Sequence, residues 1–197
     1  MPGFEEVRIY LTGLWLLLRG ESQGFRYLDL SPRGVSRSFW SALWSLPAML
    51  VSWMWWRRAL VGEVPAELLG GVFFLRMIML EVANWVVPLL IVAALSIPLG
   101  IARHFNAIVV TSNWLSLPIA YGYAVLIALT ALLPALGSVI VLLWMLLLIG
   151  VVVAIFRLLL AIIGPQTLLV STLTMLLLVP ATLLSDFLER YLDVAPL

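Results

Sequence analysis

The chain predicts an all-α fold, an integral membrane bundle of about five transmembrane helices preceded by an N-terminal amphipathic helix in the membrane interface. Two observations carry this prediction. Between Glu81 and Asp186 the sequence runs 104 residues with only two formally charged side chains, Arg103 and Arg157, a stretch no soluble domain of this size could wrap. The composition agrees: 64% of residues are hydrophobic and 11% charged, with a mean hydropathy of +1.16, against roughly 25% charged in ordinary globular domains. Lipid cannot hydrogen-bond the backbone, so each crossing needs about 20 apolar residues folded as a helix.

The elements follow in order. Residues 1–38 form a polar segment with five arginines and four acids. Glu5 and Glu6 stand where a cleaved signal would need a basic start, so none is expected. Phe4, Val7, Leu11, Leu14, Trp15 and Leu18 recur at helical spacing, with Glu5, Arg8, Thr12 and Arg19 opposite. The apolar run from Ile9 to Leu18 is too short to cross, so this helix either lies in the interface or packs on the protein's own spans. Gly20, Gly24, Ser31, Pro32 and Gly34 then mark a loop.

Residues 39–197 are the transmembrane domain, with spans expected at about 39–56, 82–102, 108–133, 137–156 and 167–185. Trp53, Trp55, Trp56, Arg57 and Arg58 suit the headgroup level at the end of the first span. Residues 57–81, with three arginines and three glutamates, form the one sizeable inter-span loop, where Ala66 to Leu80 is a candidate second interfacial helix. With the N-terminus inside, five spans put seven arginines on the cytoplasmic side and four on the other, which favours a cytoplasmic N-terminus. All eleven bases are arginine. That usage points to a GC-rich genome and so to a bacterial cytoplasmic (inner) membrane.

Function has few handles. The net charge of +1 gives no argument for nucleic acid, and the lack of cysteine excludes disulfides and thiolate chemistry. The loops are too short for a separate catalytic module. The one histidine, His104, reads as a headgroup-level residue beside Arg103, and no HExxH, GxSxG or phosphate-cradling glycine loop occurs. No catalytic residue, metal site or cofactor is expected, and the chain is not expected to be an enzyme.

Two patterns remain. Ser112, Ser116, Ala120, Ala124 and Ala128 recur every fourth residue of the third span, a small-residue stripe that reads first as a helix-packing face and second as the wall of a solvent path, because Thr111, Ser112, Asn113 and Ser116 make one end polar. Pro47, Pro88, Pro98, Pro118 and Pro180 interrupt the spans and should kink them. Glu81, with Asn84 one turn later and Arg76 near enough in sequence to neutralise it, reads first as an interfacial carboxylate at a span end and second as the nearest candidate for a functional intramembrane carboxylate. Glu81, Asn84 and Asn113 are therefore the candidate functional polar residues. Arg157 should snorkel to the headgroups.

Asp29, Leu30 and Pro32 followed by Phe39 and Trp40, together with Trp114 four residues before Pro118, give a pattern that resembles the Yip-type (Ypt-interacting protein) membrane family and its bacterial relatives. The resemblance implies five clustered spans, a polar cytoplasmic N-terminus and a short far-side tail. On these grounds the expected role is a non-catalytic multi-pass protein that organises or assembles with other membrane components, its partners being the bilayer and other membrane subunits or further copies of itself. The alternative is a small transporter or channel subunit. A buried ionisable residue would favour that second class.

Overall fold

The computed structural model describes residues 2–192 and Val194, and among these it holds seven α-helices and no strand. They are α1 (Phe4–Leu18), α2 (Pro32–Ser38), α3 (Ser41–Ala59), α4 (Gly71–Leu95), α5 (Phe105–Leu132), α6 (Gly137–Ile163) and α7 (Thr167–Tyr191). Short 3-10 turns occupy Ser22–Tyr27, Ala66–Leu69, Ala102–His104 and Pro134–Leu136. Four segments, Gly71–Leu95, Ala102–Leu132, Pro134–Ile163 and Thr167–Tyr191, are long and apolar enough to cross a membrane. The protein is thus an all-helical, multi-pass membrane bundle. Four segments meet this measure where the sequence reading expected five, because α3, though 19 residues long, is diluted by serines, tryptophans and the Arg57–Arg58 pair.

The expected second span, 82–102, is displaced. The helix starts eleven residues earlier at Gly71 and ends at Leu95, before Pro98, so Arg76 and Glu81 lie inside α4 instead of in a loop. Formal charges looked like span ends; here they are internalised by partners, the Arg76 guanidinium donating to the Leu192 carbonyl and Glu81 accepting from Trp53. Of the proposed helix from Ala66 to Leu80, residues 66–69 form a 3-10 turn and the remainder belongs to α4. Arg157 likewise falls within α6, which continues to Ile163. That helix stops where Gly164 adopts φ +93°, a left-handed conformation open chiefly to glycine, with Pro165 following. Pro47, Pro88, Pro118 and Pro180 lie inside continuous helices, and Pro98 in the α4–α5 connection.

Packing follows small residues. The most extensive helix pair is α3 with α5 and the next α4 with α7, whereas α4 makes only sparse contact with α3 and α5. Ser41, Ser45 and Ala48 of α3 are all buried, recurring at three- and four-residue intervals, the spacing that lets a neighbouring backbone approach. Helix α6 joins α5 and α7 around a core that includes Val92, Ile108, Leu159, Val170 and Leu173.

The N-terminal segment docks on the bundle. Val7, Tyr10, Leu14 and Leu17 of α1 pack with Val110, Trp114 and Leu117 of α5 and Leu158 of α6, and the Tyr10 ring stacks on Trp114 at 4.8 Å. The buried face is rotated from the expected one: Phe4 and Trp15 are exposed, whereas Tyr10, Gly13 and Leu17 are covered. Gly13 and Gly24 explain the rotation. A Cβ on Gly24 would meet the Gly13 carbonyl oxygen at 2.5 Å, so the turn after α1 lies directly on the helix at this point. The Tyr10 hydroxyl donates to Glu6, and Glu6 pairs with Arg37 of α2 at 2.6 Å; burial first, then Glu6, push the Tyr10 phenol up to about 12. Asp29 accepts from the Ser31 amide, and its hydrogen bonds to Ser31 hold its carboxyl below the usual carboxylate range. Ser31 in turn caps α2 by accepting from Gly34, with Pro32 at the first helical position.

Candidate functional site

Because the α4–α7 pair stands away from the α3–α5 pair, a cavity of about 640 Å³ lies in the middle of the bundle, with all five long helices contributing to its wall. Polar side chains from three helices line it. Glu81 and Asn84 come from α4, Ser112, Asn113, Ser116 and Ala120 from α5, and Ser185 and Glu189 from α7. An aromatic set, Trp53, Trp56, Trp85, Tyr123 and Trp144, faces the same space.

The polar groups have defined partners. Trp53 Nε1 donates to Glu81 Oε1 at 3.4 Å, tying α3 to α4 across the cavity rim. Asn84 Nδ2 donates to Ser185 Oγ at 2.6 Å and holds α4 on α7. Asn113, 1% exposed, donates from Nδ2 to Ser38 Oγ at 2.8 Å, while the Ser38 hydroxyl donates to the Val35 carbonyl at 2.7 Å. Ser38 has a single proton and gives it to Val35, so the Asn113 atom facing it must be the amide NH₂. That leaves Oδ1 of Asn113, and likewise Oδ1 of Asn84, buried without a hydrogen-bond partner. Ser116 donates to the Asn113 carbonyl and Ser52 to the Ala48 carbonyl, so both present lone pairs, not protons, to other groups. Tyr123 and Trp144 pack ring to ring at 5.2 Å.

All three candidate polar residues, Glu81, Asn84 and Asn113, therefore meet at one cavity. The stripe divides: Ser112, Ser116 and Ala120 form cavity wall, whereas Ala124 is buried and Ala128 half-buried. His104 and Arg103 lie away from it, hydrogen-bonded to each other. Among the described residues no group of three or more histidines or carboxylates could hold a metal ion. Nothing local in the sequence marks Trp85, Tyr123, Trp144, Ser185 or Glu189, and the sequence pattern places Trp53 and Trp56 in the headgroup belt. Only their helical register relative to Glu81 and Asn113 could have pointed inward; the Asn84–Ser185 pair, 101 residues apart, leaves no local trace.

No family model, curated protein or solved structure matches this chain.

Proposed function

We propose that this is a non-catalytic, multi-pass membrane protein that accommodates a small amphipathic molecule inside its bundle, as a carrier or as the ligand-binding subunit of a transport assembly. The central cavity carries this reading. It is a half-open pocket of about 640 Å³. Such a volume matches pockets that take drug-sized ligands, and a carboxylate within it is costly and usually functional. In this reading α3 is the fifth crossing, since 19 helical residues span about 28 Å, close to the hydrocarbon thickness. The N-terminus is then cytoplasmic, in a bacterial inner membrane.

The test uses the cavity tryptophans. An alkyl maltoside carrying a brominated chain should quench intrinsic fluorescence saturably, and Ala120→Phe, which fills the cavity, should remove the saturable part. Quenching that stays linear and identical in both proteins would sink the proposal. A second role, as an organising or accessory subunit that meets other membrane proteins or further copies of itself, is favoured by α6, whose most apolar stretch is only 6% buried. A specific partner surviving gentle detergent extraction would support it.

A further inference from the structure

We propose that the cavity selects amphipathic organic cations, an ammonium or similar charged head carried on an apolar or aromatic body; this rests on the ligand-binding reading above. The selectivity comes from the polarity of the lining groups. The carboxylate of Glu81 in the wall is an acceptor. The Ser116 hydroxyl has turned its proton toward its own helix, so it too offers an oxygen. Among the described lining residues there is no arginine and no histidine, and the sequence has no lysine. An anionic head would meet oxygens with no base to balance it. A cationic head meets a carboxylate.

The aromatic wall suits the same ligand. Trp85 and Trp144 line the same space, aromatic rings attract a desolvated cation, and Trp53 holds Glu81 in place through its ring N–H. The apolar remainder of the wall, from residues such as Leu89, Ile119 and Ile155, accepts the body of the ligand.

The full-length protein in neutral maltoside micelles, dialysed against protein-free micelles to subtract partitioning, tests this with three probes of similar bulk. They are tetraphenylphosphonium, tetraphenylborate and the neutral triphenylphosphine oxide. Saturable binding of the phosphonium, at least about tenfold tighter than the other two, is expected. Glu81→Gln should weaken phosphonium binding about tenfold while leaving the neutral probe unchanged, Glu81→Asp should retain most of it, and Ala120→Phe should abolish it. The comparison of probe charges needs no variant, so it decides the matter even where a Glu81 variant does not fold. Equal binding of all three probes would overturn cation selection and leave the ligand-binding reading standing. Binding of none would overturn both. A phosphonium preference untouched by the Glu81 and Ala120 changes would place the cation elsewhere and overturn the inference. Adding phosphatidylcholine separates the two sources of this chemistry: competitive displacement identifies a lipid headgroup as the natural cation, and no displacement identifies a free organic cation.

Discussion

At the residue scale, neighbours on one stripe differ in what they face. Ala120 borders the cavity, while Ala124 is 7% exposed within the packed bundle. Ala124→Leu should overpack that contact and lower stability by about 1–3 kcal/mol, whereas Ala120→Leu extends into open volume and should leave the melting temperature in detergent nearly unchanged. Equal losses for the two would mean that the cavity wall is in fact close-packed. Asn113 and Ser38 form a second local test. Each single change, Asn113→Leu or Ser38→Ala, should cost about 1–2 kcal/mol, and the double variant should cost clearly less than the sum, because the two groups share one hydrogen bond. Additive losses in a thermal double-mutant cycle would show that the bond contributes nothing.

At the element scale, α1 shows how an amphipathic pattern can be satisfied in more than one way. Its apolar positions were legible, but the same moment serves a bilayer surface or a protein surface, and the choice between faces was made by Gly13, Gly24 and the Tyr10–Trp114 stack. Leu14, 2% exposed, lies in that contact, so Leu14→Ser should destabilise the folded protein in detergent by about 2–4 kcal/mol. Ile9→Ser, on the 45% exposed side, should alter stability little. A Leu14 variant that melts like the parent would return the helix to the membrane surface. Helix α4 teaches a related lesson. Its true start at Gly71 was hidden because Arg76 and Glu81 looked like span ends, and a sequence does not reveal that Leu192 and Trp53 will be there to receive them.

At the scale of the whole molecule, the status of α3 decides topology. If it crosses, the chain has an odd number of spans and its ends face opposite sides, so an enzymatic reporter fused to the C-terminus of a protein with a cytoplasmic N-terminus should report the far side. Reporter activity in the cytoplasm would leave four crossings and place α3 in a re-entrant or interfacial position. The arrangement of helices also fixes the cavity: α3 with α5 and α4 with α7 are close pairs, and the space between them exists because neither pair closes on the other.

The sequence by itself determined the solvent and the all-helical class. A 104-residue stretch with two charges leaves helices as the one backbone form that satisfies itself in lipid, and that argument needs no knowledge of neighbours. It also singled out Glu81, Asn84 and Asn113, since polar groups are conspicuous against an apolar background. Tertiary structure alone decided that these three share a cavity with Ser185 and Trp144, and that the close-packing small residues are Ser41, Ser45 and Ala48 as much as the stripe on α5. The physical reason is that periodicity reports which residues share one helix face, while what that face meets depends on contacts between helices far apart in the chain. In a membrane nearly every face is apolar, so hydropathy carries no signal that tells a lipid-facing side from a cavity wall.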